Sequence, residues 1–269
     1  MAEMDVARLR AELVPPFHAL DVVRSTGSTN ADLRKAADEG ADDRTVLIAE
    51  EQTAGVGRRA RSWSSPAGSG IYLSVLLRPH EVPFAEYGSL AVVAGLAVTD
   101  LTAELGVDAV MKWPNDVLAG EDRAKCAGIL AEAVAGDEGA VVLGIGLNVL
   151  PVNGRIPPNP AGLLPTSLAE TGARTTDRTE IALILLSAFA GRESRWRAAC
   201  GDLARAGLLD EYRERCETLG QQVRVMLPGG DALIGTAQDV DSTGQLTVLG
   251  EDGRRRTVFA GDVVHLRMA

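Results

Sequence analysis

The residues with the clearest capacity for chemistry lie in one loop, TAGVGRRARSW, at residues 53–63. Gly55 and Gly57 allow the backbone to approach a ligand closely, and successive backbone N–H groups can then surround an anion. The three arginines that follow can donate charge-assisted hydrogen bonds to phosphate or carboxylate oxygens, and Trp63 offers a flat face for a purine. On composition alone, an anion-binding loop and a solvated hairpin fit about equally well. The spacing is not that of a Walker A loop.

A second polar group, KWPND at residues 112–116, interrupts an apolar stretch. Lys112 could contact a phosphate, and Asp116 could hold Mg²⁺ or orient a base. The alternative is a turn at the end of a strand, in which Asn115 and Asp116 satisfy backbone groups. Without further context, the sequence favours the turn.

Three further segments place polar residues beside apolar ones. Lys125 precedes an apolar strand, either as an edge residue with a solvated head, which is favoured, or as a fixed charge in a pocket. In GIGLNV, Gly144 and Gly146 permit close approach, and Asn148 must be hydrogen-bonded, by default to the backbone and otherwise to a ligand. The segment GSTN at 27–30 caps a helix by default, or binds a small polar ligand.

The composition is that of an ordinary globular protein of 269 residues, 46% hydrophobic and 24% charged. The net charge of -10 argues against broad binding to nucleic acid, which needs a basic face, but leaves room for a local cationic pocket. The three cysteines lack CxxC spacing and the three histidines are scattered, so no metal site within the chain is predicted. Without a signal-peptide pattern or a run of about 20 apolar residues, the sequence predicts a cytoplasmic protein that makes no membrane contact.

The elements that must position these residues follow from the apolar pattern. Strongly apolar strands predict a sheet covered on at least one face by helices. Ser28 or Thr29 is the expected N-cap of the first helix and Gly40 its end. We predict strands at 45–52, 70–79, 109–118, 124–134 and 140–149, helices at 89–106, 179–205 and 208–216, turns at 119–122 and 135–139, and a proline-rich loop at 150–166.

The texture changes after Gly220, where four or five short alternating strands are separated by turn-forming segments. This pattern predicts a small antiparallel barrel of about fifty residues. The boundary is expected near residue 218, which divides the chain into domains at 1–217 and 218–269.

The order and spacing of STN, EQTAGxGRxxRxW, KWPND, KxAGIL.E and GxGLNV resemble the biotin–protein ligase family, in its BirA-like form without an N-terminal DNA-binding domain, over about residues 20–269. The resemblance implies an α+β fold: a mixed β-sheet catalytic domain covered by helices, of the class II synthetase-like type, followed by an SH3-like barrel. It implies that biotin and ATP, accompanied by Mg²⁺, form biotinyl-5′-AMP and pyrophosphate. Biotin then passes to a lysine of a biotin carboxyl carrier protein or domain of acyl-CoA carboxylases. No permanently bound cofactor is implied.

The same resemblance assigns roles to residues at the matching positions. The catalytic residues are expected to be Arg58, Lys112 and Lys125. Biotin binding is expected at Ser28, Thr29, Asn30, Gln52, Gly55, Val56, Gly57, Arg58 and Lys125. Nucleotide binding is expected at Arg58, Arg61, Trp63, Lys112, Asn115 and Asn148.

Two positions of the glycine-rich loop depart from the family pattern GRGRxGR. Val56 stands where an arginine is usual, and Ala60 where a glycine is usual. Val56 keeps its backbone N–H but lacks a guanidinium, and its branched side chain stiffens the loop. Ala60 resists a positive φ. We therefore expect weaker affinity for biotin or its activated form than the usual loop would give, and tighter binding after Val56→Arg.

Three alternative functions remain. A lipoate–protein ligase shares the fold but is disfavoured by the motif set. A non-catalytic module that sequesters biotin or biotinyl-AMP is disfavoured by the cluster of Arg58, Lys112 and Lys125. A biotin-sensing DNA binder is disfavoured because only about twenty residues precede the catalytic part, too few for a winged helix domain, and because the chain is acidic. The expected oligomeric state is a monomer or a weak homodimer.

Overall fold

The computed structural model describes residues 3–64, 66–134, 139–151, 162–227, 231–259 and 262–265. These residues form a seven-stranded mixed sheet with helices on both faces and a separate five-stranded antiparallel sheet. The helices are α1 (Val6–Leu13), α2 (Thr29–Asp38), α3 (Leu90–Glu104), α4 (Arg178–Ala198) and α5 (Leu209–Arg215). The strands of the large sheet are β1 (Ala19–Val23), β2 (Thr45–Ala49), β3 (Gly70–Leu77), β4 (Ala109–Lys112), β5 (Asp116–Ala119), β6 (Ala124–Ala133) and β7 (Val141–Asn148).

The large sheet has the order β1-β2-β3-β7-β6-β5-β4, and only the β1–β2 pair is parallel. One face packs against α1, α3 and α4, and this side contains the main apolar core. Among the helices that the structure describes, the one on the other face is α2, which packs through a small cluster that includes Leu33, Leu76 and Val142. Because α2 covers only part of this second face, the rest of it is available to line a cavity.

Helix α2 begins where the sequence predicts. Ser28 is its N-cap, and the chain turns with a positive φ of 89° at Gly40, just beyond its end. Helix α3 is followed in the same way by Gly106, with φ 76°. The strands at 45–52, 70–79, 124–134 and 140–149 are confirmed as β2, β3, β6 and β7.

The small sheet contains β8 (Gln222–Met226), β9 (Ala232–Val240), β10 (Leu246–Gly250), β11 (Arg255–Val258) and β12 (Asp262–His265). Its order is β11-β10-β9-β8-β12, and all its pairs are antiparallel. The alternating pattern buries Val223, Val225 and Val248 on its inner side. The predicted four or five short strands are thus confirmed as five.

Two sequence predictions differ from the structure, and one helix was not predicted. The single strand predicted at 109–118 is a hairpin of β4 and β5, because Pro114 has no N–H with which to continue a ladder. The helix predicted at 179–205 ends at Ala198, because the chain adopts positive φ at Cys200 (53°) and Gly201 (88°). Helix α1 was not predicted. Its N-cap carboxylate, from Asp5, accepts from the Arg8 N–H.

Two predicted segments fall largely outside the described residues. They are the turn at 135–139 and the central part of the proline-rich loop at 150–166. The described end of that loop pairs with β6 through an isolated bridge between Pro165 and Lys125. The loop therefore ends against the strand that carries a predicted catalytic lysine.

Within the described part of the chain, the continuous helical stretch Phe84–Glu104 is long and apolar enough to cross a membrane by length and composition. In this structure 67% of its apolar window is buried, where α3 packs against the sheet and α4. That environment is the one a core helix occupies.

Candidate active site

A cavity of about 450 Å³ lies on the sheet face that α2 leaves open. Its walls come from all five motifs that the sequence singles out, and from β12 of the small sheet. Of the predicted site residues, the following line it: Ser28, Thr29, Asn30, Gln52, Val56, Gly57, Arg58, Arg61, Trp63, Lys112, Asn115, Lys125 and Asn148. Gly55 is the exception: it is buried at the base of the loop, where its carbonyl accepts from the Trp63 N–H at 2.8 Å.

One end of the cavity is a cluster of hydroxyl and amide groups at the N-terminus of α2. The Ser28 hydroxyl accepts weakly from the Ala31 N–H at 3.5 Å, as an N-cap does. The side-chain oxygen of Gln52 lies 2.9 Å from the Thr29 backbone nitrogen and 3.0 Å from its hydroxyl. Ser74, fully buried on β3, contacts the side chains of both Thr29 and Asn30. Capping and ligand binding are therefore compatible at this helix start.

The glycine-rich loop is a small hairpin anchored to the segment before α2. Its first residues donate to that segment, with Thr53 N to Thr26 O at 2.9 Å and Ala54 N to Gly27 O at 2.8 Å. At its tip Ala60 has φ 55°, the region that alanine disfavours at a cost of about 1 kcal/mol. A glycine at position 60, which is usual in the family, would therefore relieve backbone strain that Ala60 imposes.

The Trp63 indole lies flat on a floor made by two glycines. Gly128 on β6 and Gly146 on β7 are register partners, and both face the ring. A Cβ atom added at Gly146 would lie 2.5 Å from the indole, and one at Gly128 would lie 3.0 Å from it. The indole Nε1 is buried and has no hydrogen-bond partner within the described residues. The group that approaches these glycines closely is therefore the side chain of Trp63 and not a ligand.

Two lysines occupy the other end of the cavity. Lys125 Nζ lies 2.5 Å from Asp116 Oδ1 and 5.2 Å from the centroid of the Trp63 ring. Lys112 is almost fully buried, and its Nζ donates to the Val263 carbonyl on β12 at 2.5 Å. Lys125 is thus a fixed charge in a pocket rather than an edge residue. Asp116 is held by that lysine.

The amides of Asn115 and Asn148 make the default contacts, to the backbone. Asn115 Nδ2 donates to the Ile129 carbonyl at 2.7 Å, which ties the KWPND hairpin to β6. Asn148 Nδ2 donates to the Thr166 carbonyl at 2.9 Å, which holds the end of the proline-rich loop. Both side chains therefore shape the cavity, and their roles toward a nucleotide stay a prediction.

The charge of the cavity is opposite to that of the chain. Its described lining residues include four cationic side chains and a single carboxylate, although the whole protein carries a net charge of -10. Arg58, Arg61, Lys112 and Lys125 supply the positive charge, and Asp116 the negative charge. Fixed positive charge in a concave, poorly solvated space favours bound anions and negative charge that develops in a reaction.

Residues 21–148 match the Biotin/lipoate A/B protein ligase family, and residues 218–266 match the biotin protein ligase C-terminal domain. The biotin–[acetyl-CoA-carboxylase] ligase of Mycobacterium tuberculosis is 45% identical over 272 residues, which cover 98% of this chain and 96% of that protein. The chain belongs to the biotin protein ligase family.

Other members of the biotin protein ligase family support the assignment. The biotin–[acetyl-CoA-carboxylase] ligase of Paracoccus denitrificans is 32% identical over 86% of this chain and 94% of its own length. A solved structure of the biotin protein ligase from Aquifex aeolicus, in complex with biotin and ATP, matches with a TM-score of 0.75. That match has 26% identity and covers 94% of this chain and 100% of the other. The expected fold, a mixed sheet with helices followed by an SH3-like domain, is confirmed.

Three residues at the site of this ligase were not predicted from the sequence as site residues. Ser74 is the one serine in a strand that otherwise consists of glycine, aliphatic residues and a tyrosine, which is the signal that could have identified it. Glu132 belongs to the KxAGIL.E motif, but no role was assigned to it; its carboxylate accepts from Asn30 Nδ2 at 2.7 Å. Val263 comes from the small sheet, and no local pattern connects it with Lys112.

His265, at the junction of the large sheet and the small sheet, has a lowered pKa. His265 Nε2 lies 3.2 Å from the Thr218 hydroxyl, and burial together with the positive charge of Lys112 lowers the pKa of His265 from 6.5 to about 4. Between these values the ring is neutral in the folded protein and protonated in the unfolded chain, so the unfolded state binds more protons.

We therefore expect the stability that neutral His265 contributes to be present above pH 6.5 and to be lost as the pH falls from 6.5 toward 4. Thermal unfolding of the natural protein and of His265→Gln, followed at several pH values, measures this contribution. The difference between the two melting temperatures should be constant above pH 6.5 and should shift in favour of the variant below it. Parallel curves over the whole range would contradict the prediction.

Proposed function

We propose that this chain is an ATP-dependent biotin–protein ligase, which forms biotinyl-5′-AMP and transfers biotin to one lysine of a biotin carboxyl carrier protein or domain. The observation that carries the proposal is the division of one cavity into a hydroxyl and amide end, a cationic end, and an indole on a glycine floor. The first suits the ureido ring of biotin, the second the carboxylate and phosphates, and the third the adenine. The relatives named as biotin–[acetyl-CoA-carboxylase] ligases support the same reaction and acceptor.

In the first step the biotin carboxylate attacks the α-phosphorus of ATP. A carboxyl–phosphate bond forms, the bond to the bridging oxygen breaks, and pyrophosphate leaves with the electron pair. Two anions must meet, so fixed positive charge is needed where negative charge accumulates. Lys125 is placed for this role because Asp116 and the Trp63 ring hold its ammonium in position. Arg58 and Lys112 line the same space.

In the second step the amine of an acceptor lysine attacks the acyl carbon of the mixed anhydride. An amide bond forms, AMP leaves, and the amine loses a proton. The intermediate must be kept from water until the acceptor arrives. The loop hairpin that carries Arg58 is anchored at its base by Thr53 and Ala54 and lines the cavity, so it is the part of the wall best placed to cover the intermediate.

Mg²⁺ enters this scheme as part of the Mg·ATP substrate. The described residues contain no group of three or more His, Cys, Asp or Glu side chains able to hold a metal ion. The carboxylate of Asp116, the one carboxylate in the described lining, is paired with Lys125. Mg²⁺ is commonly held by substrate phosphates, with few protein ligands, and we propose that arrangement here.

We further propose that residues 1–217 form the catalytic domain and residues 218–269 the SH3-like domain. The proposed location is the cytoplasm, in keeping with three free cysteines at 126, 200 and 216. A monomer or a weak homodimer is the proposed state. Neither nucleic acid nor a membrane is a proposed partner, in keeping with the net charge of -10.

The decisive experiment mixes the protein with biotin, Mg·ATP and an apo biotin carrier domain, and weighs the carrier by mass spectrometry. We expect a gain of one biotin on a single lysine, and no gain without ATP or on a carrier whose target lysine is replaced by arginine. A parallel reaction supplies lipoate and an apo lipoyl domain, and transfer there without transfer of biotin would identify the rival ligase. Biotin binding by calorimetry without any transfer would identify a sequestering module.

The departure at Val56 gives a separate prediction. Val56 lines the cavity and is 47% exposed, so an arginine there has room to reach a bound anion. We expect Val56→Arg to tighten biotin binding about tenfold, the worth of one charge-assisted hydrogen bond. Isothermal calorimetry measures the affinity. Val56→Ala, which removes the branched side chain without adding charge, separates loop stiffness from electrostatics; equal affinities for Val56→Arg and Val56→Ala would contradict the prediction.

A further inference from the structure

The hydroxyl and amide end of the cavity is connected to a carboxylate by a continuous chain of hydrogen bonds. Asn30, at the start of α2, donates from Nδ2 to Glu132 Oε2 at 2.7 Å and more weakly to the Leu130 carbonyl at 3.4 Å. Both of these partners on β6 can only accept, so the amide has one permitted orientation. Its oxygen, Oδ1, must therefore point the other way, toward Ser74 on β3.

The orientation of that amide decides where the next two protons lie. Ser74 Oγ is 2.5 Å from Asn30 Oδ1 and 2.7 Å from Thr29 Oγ1, and Thr29 Oγ1 is 3.0 Å from the side-chain oxygen of Gln52. Three oxygen–oxygen contacts share only two hydroxyl protons. An amide oxygen cannot donate, so Ser74 must give its proton to Asn30. The single hydroxyl proton of Thr29 is then shared between two acceptors of the protein itself, the side-chain oxygen of Gln52 and the oxygen of Ser74.

This direction of donation leaves Thr29 with lone pairs and no spare proton. Thr29 lines the cavity, and its own backbone N–H already satisfies the oxygen of Gln52 at 2.9 Å. Its hydroxyl oxygen is therefore prepared to accept from a ligand N–H and not to donate to a ligand oxygen. A negative charge at the far end strengthens each bond of such a chain in the same direction.

The carboxylate that ends the chain is itself held in place. Arg34, one helical turn after Asn30 on α2, donates from Nη1 to Glu132 Oε1 at 3.0 Å. One carboxylate oxygen is thus occupied by the guanidinium and the other by the amide, so Glu132 cannot rotate away from the chain without losing both bonds. Asn30 is among the described residues that line the cavity, and Glu132 is not.

We propose that Glu132 is a positioning residue, which fixes the direction of the relay Thr29–Ser74–Asn30 and so makes Thr29 an acceptor for a ligand N–H. The proposal rests on the proposed function, because the ureido ring of biotin supplies the N–H group. The biotin end of the cavity would then prefer a ligand that presents a hydrogen-bond donor to Thr29. Glu132 would set this preference without touching the ligand.

The test is the substitution Glu132→Gln, which keeps size and shape but lets the end group donate as well as accept. Only the weak contact to the Leu130 carbonyl then opposes rotation of the Asn30 amide, so the relay can reverse, and Thr29 then meets the ligand N–H with a proton. We expect the Kd for biotin to rise about tenfold by calorimetry, with the KM for ATP changed less than twofold. Glu39→Gln, which makes the same chemical change at an exposed ion pair with Lys35 near the end of α2, should leave both values unchanged.

A second measurement separates direction of donation from general damage. A biotin analogue with an oxygen in place of the ureido N–H cannot donate to Thr29, so the natural protein should bind it much more weakly than biotin. In Glu132→Gln and in Ser74→Ala, which breaks the relay at its middle, that preference for biotin should shrink by about tenfold. An unchanged preference in both variants would overturn the proposal, as would an equal loss of affinity for biotin and for ATP. Failure of the natural protein to bind biotin would instead overturn the proposed function.

Discussion

Replacing Lys125 by methionine is expected to slow the formation of biotinyl-5′-AMP by about 10³-fold, with the fold intact. The ammonium of Lys125 is the charge that Asp116 and Trp63 hold at the cationic end of the cavity. Methionine keeps most of the length and packing of the side chain but removes the charge. Single-turnover release of pyrophosphate measures the rate, and circular dichroism confirms the fold.

Part of that loss should come from the carboxylate left behind. The side chain of Asp116 is only 11% exposed, so without Lys125 its negative charge faces the incoming anions with little screening. The double variant Lys125→Met with Asp116→Asn should therefore be about tenfold faster than Lys125→Met alone. Lys35→Met, at an exposed lysine, is the matched control and should keep the natural rate. A rate for Lys125→Met within tenfold of the natural rate would refute the role of Lys125.

Substitution of two glycines on β7 is expected to affect different substrates, one ATP and the other biotin. Gly146→Ala should raise the KM for ATP about thirtyfold, because its Cβ would lie 2.5 Å from the Trp63 indole and drive the ring off its floor. Gly144→Ala should instead weaken biotin binding, because its Cβ would collide with the Oδ1 of Asn30. Initial rates at varied ATP and varied biotin measure the two effects separately.

The control for these substitutions is Gly191→Ala. Gly191 lies within α4, and a Cβ added there would meet nothing within 4 Å. Alanine in a helix is favoured over glycine by about 1 kcal/mol, so this variant should be slightly more stable with unchanged kinetics. If Gly146→Ala and Gly144→Ala raised both KM values alike, the division of the cavity into a nucleotide side and a biotin side would be wrong.

Much of the site was predictable from sequence because the motifs carry local reasons for their positions. Ser28 caps α2, which fixes the direction in which Thr29 and Asn30 point. Gly40 and Gly106 mark where helices end. Strands β3, β6 and β7 are apolar runs of the length that a sheet requires, and their pairing brings distant motifs to one face.

The parts that sequence did not predict depend on contacts between distant segments. Lys112 is predicted to meet phosphates, but its carbonyl partner at Val263 is 151 positions away. The glycine at 146 indicates a close approach without saying that the approaching group is Trp63. The hairpin at KWPND depends on Lys112 pairing in register with Asp116, which a count of apolar residues does not detect. The contacts of Ser74 with Thr29 and Asn30 can be identified only after α2 is placed above β3.

The bond from Lys112 to Val263 has a consequence for protein engineering. The match to the biotin protein ligase C-terminal domain begins at residue 218, yet the wall of the cavity crosses this junction. Lys112 and Val263 lie on opposite sides of it, and Trp113 Nε1 also donates across it, to the Gly244 carbonyl at 2.9 Å. A chain cut at this junction yields two fragments, neither of which contains the complete wall. If each fragment is fused to a different protein, recovery of ligase activity would therefore report that the two fused proteins have bound each other.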